Sequence, residues 1–317
     1  MKQIDIIIPV YNEEGNLERL IKTLKETFSP LQNKYAFSYI FINDGSKDKS
    51  ADMLDEFQKN DDSFTVIHFS RNFGHQIAIT AGIDMSTADA AIIMDADMQD
   101  PPSVCIDLIK EWEAGYEVVY AQRKTRKDTP FKKWTAFLFY RLLAIFANIH
   151  IPKDTGDFRL MDRKVVKALQ QFRESNRFMR GLVSYVGFKQ TAVQFDRDER
   201  FSGKTHYPLA KMLSLALDAI TSFSAVPLQL IAQFGWFTTL ISSLGILYAL
   251  VLRIFFPDIT VSGWTTLLFS VLFIGGVQLT MLGVLGIYIG RIYKEVQHRP
   301  LYIVSAVRSN KSNAQDK

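Results

Sequence analysis

Ala90-Ala91-Ile92-Ile93-Met94-Asp95-Ala96-Asp97-Met98-Gln99-Asp100-Pro101-Pro102 joins an apolar run to a short acidic segment. The run is continuous and uncharged, which is typical of a strand buried on both faces of a parallel sheet. Asp100 before two prolines predicts a helix start, with an acidic N-cap and prolines where no backbone donor is needed. We therefore expect Asp95 and Asp97 at the carboxyl end of a core strand, where open α/β sheets bind ligands.

These two acids stand two residues apart, and residues at that spacing in an extended backbone point the same way. Neighbouring carboxylates repel each other unless a cation lies between them or one of them binds a proton. Mg²⁺ or Mn²⁺, held by one or two carboxylates together with substrate phosphates, relieves that repulsion. A bare Asp-x-Asp pattern is more often a solvated acidic turn, so the metal site depends on further matches along the chain.

Length and composition narrow the class of protein. The chain has 317 residues, of which 48% are hydrophobic, and many of these follow residue 227. A formal charge of +4 is too small to indicate a nucleic-acid partner. The single cysteine, Cys105, excludes an internal disulfide framework and fits a reducing compartment. Residues 6–10 are too short an apolar run for a signal peptide.

Strand and helix signals alternate over residues 1–130. Buried strands are predicted at 4–10, 39–42, 64–69 and 118–121, besides the strand before Asp95. The first helix has one apolar face, formed by Leu17, Leu20, Ile21, Leu24 and Phe28. This alternation predicts an α/β fold with a mostly parallel sheet, whose polar strand ends meet at one edge. Dinucleotide, P-loop and zinc-binding patterns are absent, and four scattered histidines are interpreted as structural or surface groups: His68, His75, His150 and His298.

The character of the sequence changes at residue 131. Residues 131–143 are apolar, aromatic and flanked by cations, which is typical of a helix in a membrane interface; a core helix is the alternative. Polar turns are predicted at 154–160 and 200–207, and residues 208–226 form a second amphipathic segment. This part of the chain is predicted to lie on the acceptor side of the site.

Two later apolar runs, at 234–252 and 266–289, are each long enough to cross a hydrocarbon core of ~30 Å as a helix. Cations follow the second run, whereas the joining loop at 257–263 has none, which predicts both chain ends in the cytoplasm. Arg253, at the end of the first run, slightly opposes this orientation, although its long side chain can reach the interface. Two buried helices of a soluble protein are the alternative. The predicted organisation is a nucleotide-sugar-binding core, an acceptor-side segment, two membrane helices and a basic tail, at 1–130, 131–227, 228–292 and 293–317.

Several motifs together resemble the inverting family 2 glycosyltransferases of the GT-A fold, in the branch that glycosylates polyprenyl phosphates. Bactoprenol glucosyltransferases and dolichyl-phosphate mannose synthases belong to that branch. The resemblance covers nearly the whole chain, including the paired C-terminal membrane helices. The matching stretches are Pro9-Val10-Tyr11-Asn12-Glu13, Asn43-Asp44-Gly45-Ser46, Ser70-Arg71-Asn72-Phe73-Gly74, Asp95-Ala96-Asp97-Met98-Gln99-Asp100, Gly156-Asp157-Phe158-Arg159-Leu160 and Arg200-Phe201-Ser202-Gly203.

The resemblance implies a nucleotide site with a bound metal ion. Tyr11, Glu13 and Asp44 are expected to contact the base and ribose, with Pro9 and Asp95 in the same site. A carboxylate accepts hydrogen bonds from ribose hydroxyls or a base N–H, and a tyrosine ring offers a stacking surface. The same resemblance implies that Mg²⁺ or Mn²⁺ is held against the diphosphate by Asp95, Asp97 and Gln99, which makes Asp97 a catalytic residue.

On the acceptor side, Asp157 matches the aspartate proposed as general base in this family. A phosphate monoester is largely a dianion at neutral pH, so Asp157 could equally orient the acceptor or the sugar. Arg123 is a candidate for a diphosphate or acceptor-phosphate contact, and three later cations are candidates for the lipid phosphate: Arg200, Lys204 and Lys211. The chain departs from the family pattern at two places, which makes these acceptor contacts less defined. Lys204 and His206 stand where the family pattern has an acid and then a lysine, and His75-Gln76 replaces a Lys-Glu pair.

The predicted function is transfer of a hexose, with glucose favoured, from a UDP-sugar to undecaprenyl or another polyprenyl phosphate at the cytoplasmic membrane. A GDP-mannose:dolichyl-phosphate mannosyltransferase, a non-catalytic nucleotide-sugar receptor and a structural membrane anchor are the alternatives. A processive synthase is disfavoured because the chain lacks the Gln-x-x-Arg-Trp element. Close helix approach, in a homo-oligomer or within one hairpin, is permitted by Gly275, Gly276, Gly283, Gly286 and Gly290.

Overall fold

The structure, a computed structural model, describes residues 1–124, 152, 155–196, 226–255 and 263–309. These residues divide into two compact units. The first contains residues 1–124, 152, 155–196 and 300–309, and the second contains residues 226–255 and 263–299. The predicted interface segment at 131–143 and nearly all of the segment at 208–226 lie outside the described residues.

Within the described residues, the first unit is built on an eight-stranded sheet. Its strands are β1 Lys2–Val10, β2 Tyr35–Asn43, β3 Phe64–Phe69, β4 Ala90–Ile93, β5 Val118–Arg123, β6 Thr155–Asp162, β7 Gln190–Phe195 and β8 Val304–Ser309. Their order is β7-β5-β6-β4-β1-β2-β3-β8. The central strands β4, β1, β2 and β3 are parallel, β6 is antiparallel to both neighbours, and β8 is antiparallel to β3. The predicted α/β class with a mostly parallel sheet is confirmed.

Helices connect these strands and cover the sheet. They are α1 Leu17–Phe28, α2 Ser50–Asn60, α3 His75–Met85, α4 Val104–Glu113, α5 Arg163–Gln170 and α6 Met179–Tyr185. The five residues predicted to form the apolar face of α1 are all buried. Helix α3 packs so closely on β1 that a Cβ atom at Gly82 would lie 2.2 Å from Ile7 Cγ2. This close packing leaves no room for a side chain at Gly82 and fixes the position of α3 on the sheet.

The predicted helix start at Asp100 is wrong by several residues. Helix α4 begins at Val104, and Ser103 is its N-cap. The Val104 amide donates to the Pro101 carbonyl at 3.0 Å, and the Cys105 amide donates to the Pro102 carbonyl at 3.0 Å. Pro101 and Pro102 therefore lie in a tight turn whose hydrogen bonds join residues three apart. This turn precedes α4, so the prolines are not the first residues of the helix.

Three strands of the sheet lie beyond residue 130. Strand β6 occupies much of the stretch predicted as a polar turn, which is wrong because β6 lies between β4 and β5 and is largely buried. Its polar residues Asp157 and Arg159 form an ion pair inside the protein at 4.0 Å. Strand β8 lies in the segment predicted as a basic tail and pairs with β3.

The second unit contains two long helices, α7 Val226–Phe255 and α8 Trp264–Val296. Both predicted apolar runs fall within these helices. Among the described residues, one helical segment is long and apolar enough to cross a membrane, Phe273–Val296, with a mean hydropathy of 1.7. No part of its apolar 18-residue stretch is buried inside the protein.

Candidate active site

The loops after β1 and β2 are tied together by hydrogen bonds at the carboxyl edge of the sheet. The Asn12 amide donates to Ser46 Oγ at 3.0 Å, and the Lys47 amide donates to Asn12 Oδ1 at 2.8 Å. The Glu13 amide donates to Ser50 Oγ at 2.9 Å. These contacts hold the residues predicted for the nucleotide on two neighbouring strand ends.

In the loop after β1, the predicted residues differ in exposure. Pro9 is buried within the strand, whereas Tyr11 is 44% exposed and its ring is available to a ligand. Glu13 Oε2 accepts a hydrogen bond from Asn16 Nδ2 at 2.5 Å. Asn16 is buried next to the start of α1, so this contact fixes the orientation of the Glu13 carboxylate.

Asp44, predicted to contact the nucleotide, is buried beneath the loop after β3. Its carboxylate accepts hydrogen bonds from the Phe73 amide at 2.6 Å and the Gly74 amide at 2.9 Å. Burial raises the pKa of Asp44 above its usual value, although these two amides oppose the rise. In this structure Asp44 therefore anchors the residues that lead into α3.

The acidic motif follows β4 directly. Asp97 is 8% exposed, and its Oδ1 accepts a hydrogen bond from the Gln99 amide at 3.1 Å. Met98, between them, has a φ of 60°, in the left-handed region, which completes a tight turn. The Asp95 side chain is 33% exposed. The motif thus places the Asp97 carboxylate in the interior and leaves the Asp95 carboxylate more accessible.

His75, the first residue of α3, lies between two of the predicted site acids. Its Nε2 is 3.5 Å from Asp95 Oδ1 and 3.5 Å from Asp157 Oδ2. Burial lowers the pKa of His75, but the contact with Asp157 and the charges of both acids outweigh it and raise the pKa to about 9. From the sequence, His75 was interpreted as a structural or surface group; the structure brings it into the site.

Asp157 on β6 is held by several donors at once. Its carboxylate, 5% exposed, accepts from Gln76 Nε2 at 2.9 Å and from Arg180 Nε at 3.1 Å. Burial alone would raise its pKa, but the charge of Arg180, the contact with His75 and the charge of Arg159 outweigh this and hold the pKa well below its usual value. Asp157 is therefore a carboxylate at neutral pH and a weak base.

Arg123, at the end of β5, lies next to Gly156 of the neighbouring strand β6, one residue before Asp157 in the sequence. A Cβ atom at Gly156 would be 3.7 Å from Arg123 Nη2. The structure therefore brings together, along the edge of the sheet, the predicted acids and one of the predicted cations. The three remaining cations lie outside the described residues: Arg200, Lys204 and Lys211.

Comparison with known protein families identifies the class of enzyme. Residues 5–170 match the model of "Glycosyl transferase family 2". The chain belongs to this family. The family predicted from the motifs is thereby confirmed, and with it a transferase activity.

Three family 2 relatives align over nearly the whole chain. The glycosyltransferase YkcC of Bacillus subtilis is 51% identical over 95% of this chain and 93% of its own. The bactoprenol glucosyl transferase of Shigella phage SfV is 41% identical over 95% and 98%. A prophage bactoprenol glucosyl transferase homolog of Escherichia coli is 40% identical over 96% and 99%.

Two residues of this family 2 site, Gln76 and Arg180, were not predicted from the sequence. For Gln76 there was a signal, because His75-Gln76 departs from the Lys-Glu pair that the family resemblance implies. For Arg180 there was none, because the segment around it has no motif and reaches Asp157 only through the packing of α6. Both contact the carboxylate that the sequence did identify.

The acidic motif fits a metal ion that is bound together with a substrate. No cluster of three or more His, Cys, Asp or Glu side chains in the described part of the chain is arranged to hold a metal ion. Asp95 and Asp97 supply two carboxylates, and Gln99 adds an amide oxygen. Mg²⁺ is commonly held by one or two carboxylates and completed by substrate phosphates and water. The donor set therefore suits a shared metal site and not a closed structural one.

Proposed function

We propose that this family 2 enzyme transfers glucose from UDP-glucose to undecaprenyl phosphate or a related polyprenyl phosphate, with inversion at the anomeric carbon. The observation that carries the proposal is the 40–41% identity with bactoprenol glucosyl transferases over 95–96% of the chain. That similarity spans both the sheet unit and the two C-terminal helices. A shared catalytic unit alone would leave the acceptor open, whereas the shared helices favour a lipid acceptor.

The proposed reaction needs no proton removal from the attacking atom. A phosphate oxygen of the acceptor forms a bond to C1 of glucose while the bond from C1 to the UDP β-phosphate oxygen breaks, and the bonding electrons leave with UDP. Because the second pKa of a phosphate monoester is about 6, most of the acceptor is a dianion at pH 7. The low basicity of Asp157 is therefore compatible with catalysis, and its role is to position charged groups.

On the donor side, we assign the base and ribose to Tyr11, Glu13 and Asp44, with Pro9 shaping the same site. Mg²⁺ or Mn²⁺ would be held by Asp95, Asp97 and Gln99. Such an ion, when bound, offsets the negative charge that develops on the departing diphosphate. Asp97 is fixed through the Gln99 amide, so that the carboxylate is oriented before the substrate arrives.

On the acceptor side, we assign the phosphate to four cations: Arg123, Arg200, Lys204 and Lys211. Of these, Arg123 lies beside Gly156. The polyprenyl tail would remain in the bilayer, which α7 and α8 are proposed to cross as a hairpin. Both chain ends would then lie in the cytoplasm, where nucleotide sugars are made. Self-association through the glycines of α8 belongs to the same proposal.

The test is transfer of labelled glucose by the purified chain to undecaprenyl phosphate in detergent, with Mg²⁺ or Mn²⁺. We expect a glucosyl-lipid product from UDP-glucose, and none after a chelator removes the metal. Asp97→Asn should lower turnover by about 100-fold, the effect of losing about 3 kcal/mol of transition-state stabilisation.

Asp107→Asn is the matched control, because Asp107 is an exposed acid of α4 paired with Lys110 and should leave turnover unchanged. A panel of nucleotide sugars tests the donor. Transfer from GDP-mannose alone would contradict the glucose assignment. A product that forms equally well with chelator present would contradict the proposed requirement for a metal ion.

A further inference from the structure

Gln76 connects Asp157 to the start of helix α6 through the two ends of one amide group. Its Nε2 donates to Asp157 Oδ2 at 2.9 Å, and its Oε1 accepts from the Met179 amide at 2.9 Å. Met179 is the first residue of α6, where backbone amides have no partner within the helix. The side chain of Gln76 therefore sets where α6 begins relative to the Asp157 carboxylate.

Arg180 follows Met179 directly, and its guanidinium lies along the same carboxylate. Nε is 3.1 Å from Asp157 Oδ1, and Nη2 is 3.5 Å from Oδ2. The Arg180 side chain is 31% exposed, whereas that of Asp157 is 5% exposed. The buried carboxylate thus orients the guanidinium, while about a third of the Arg180 side-chain surface is exposed.

Arg180 lies close to the groups assigned to the reaction. His75 Nε2 is 3.5 Å from Asp157 and 3.5 Å from Asp95, so that only one side chain separates Asp157 from the acidic motif. On the other side, Arg123 lies against Gly156. Arg180 is therefore positioned among residues proposed for the diphosphate and for the acceptor phosphate.

Arginine suits this position because its planar guanidinium presents several N–H groups in a rigid arrangement that matches phosphate oxygens. A guanidinium with one edge held by a carboxylate loses little further side-chain freedom when a ligand binds. We propose that Arg180 binds a phosphate group of the transfer reaction, and that Asp157 and Gln76 are positioning residues that hold its guanidinium. This rests on the proposed function, since that reaction supplies two phosphate-bearing substrates, the nucleotide sugar and the lipid.

The test compares Arg180→Gln, Arg180→Lys and Gln76→Ala with the wild-type chain. Two quantities are measured, the KM for undecaprenyl phosphate in the glucose-transfer assay and the Kd for UDP by titration calorimetry with Mg²⁺. We expect Arg180→Gln to raise one of them about tenfold or more, as for a lost charged hydrogen bond. A rise in KM assigns Arg180 to the acceptor phosphate, and a rise in the Kd for UDP assigns it to the donor diphosphate. Arg180→Lys should restore part of the loss, and Gln76→Ala should shift the same quantity by a smaller factor.

The matched control is Arg173→Gln, because Arg173 is also an arginine paired with an aspartate, 2.7 Å from Asp84, at an exposed position outside this cluster. Thermal unfolding of each variant separates a binding role from a folding role. If Arg180→Gln changes KM and Kd by less than about twofold relative to Arg173→Gln, Arg180 only neutralises Asp157 and the proposal is overturned. Absence of glucose transfer by the wild-type chain would count against the proposed function, and with it this proposal.

Discussion

Asp157 illustrates how the surroundings of one residue decide what it can do. Its carboxylate accepts hydrogen bonds from Gln76 and Arg180, and these contacts, together with the nearby charge of Arg159, hold its pKa well below the usual value. The efficiency of a general base falls as its pKa moves below the operating pH. A carboxylate this weakly basic is better suited to orienting cations than to accepting a proton. Because the acceptor phosphate is already a dianion at neutral pH, the reaction does not need Asp157 to accept a proton.

Asp157→Asn should therefore lower glucose transfer through loss of positioning, by about 10- to 100-fold, as found for residues that orient the ligands of a metal ion. The asparagine keeps the volume but removes the charge that holds Arg180. UDP affinity should stay within about twofold if Arg180 serves the acceptor. Steady-state kinetics at pH 7 and pH 8.5 measure the change.

The comparison of the two pH values excludes a contribution from the acceptor, which is almost fully dianionic at both. His75 faces Asp157 and has a pKa of about 9 that depends on this carboxylate, so a fold loss that differs between pH 7 and pH 8.5 reports on the charge of His75. Undiminished transfer by the purified variant would contradict any role for Asp157. Asp107→Asn again serves as the control for removal of an acid.

The last strand, β8, forms one edge of the sheet. Tyr302, just before β8, stacks on Phe69 of β3 with ring centroids 5.1 Å apart. Its hydroxyl donates to Asp84 Oδ2 of α3 at 2.9 Å. In β8 itself, Arg308 Nε lies 3.6 Å from Asp55 Oδ2 of α2. The C-terminal segment is thus attached to the same strands and helices that carry the nucleotide loops.

Tyr302→Ala should destabilise the sheet unit by about 3 kcal/mol, the usual cost of truncating a packed aromatic side chain. Tyr302→Phe keeps the ring stack and loses only the hydrogen bond to Asp84, so it should cost about 1.5 kcal/mol. Equilibrium unfolding in denaturant, followed by near-ultraviolet circular dichroism, measures both. Equal losses for the two variants would mean that the ring stack contributes nothing.

The elements that sequence could predict are those whose signal is local. Strands β1 to β5 and the buried face of α1 follow from short apolar runs and helical periodicity, and Asp95 with Asp97 follows from the end of one such run. Strand β6 could not be predicted in this way, because its charged residues are buried through ion pairs that a local pattern does not show: Asp157 pairs with Arg159 on the same strand and with Arg180 on α6. The contact of Arg180 with Asp157 joins residues 23 positions apart and depends on where α6 packs.

As a whole, the chain combines a sheet unit that carries the proposed catalytic groups with a helical unit whose apolar surface is exposed. Exposed apolar residues recur along α8, among them Leu267, Val271, Phe273, Ile274, Leu279, Leu282, Leu285, Ile287 and Ile289. A continuous apolar surface of this kind is characteristic of a membrane or protein contact. For an enzyme proposed to use a lipid acceptor, a bilayer is the environment that accounts for both units together.

The orientation of the helical unit can be tested with single cysteines, because the only native cysteine, Cys105, is buried in α4. Ser262 lies in the sequence between the two apolar runs, and Ser312 lies in the cationic segment after them. Since cations mark the cytoplasmic side, Ser262→Cys should react with a membrane-impermeant maleimide added to intact cells. Ser312→Cys should react only after the membrane is opened.

Labelling of the wild-type chain measures any background from Cys105, and a membrane-permeant maleimide shows that both introduced cysteines can react. Reaction of both cysteines in intact cells, or of neither, would contradict a hairpin with cytoplasmic ends. Reaction of Ser312→Cys alone in intact cells would mean that the orientation is inverted. The sugar-nucleotide site would then lie on the side of the membrane where its donor is not made. The labelling pattern thus tests whether the sheet unit and the proposed donor share one compartment, on which the proposed transfer depends.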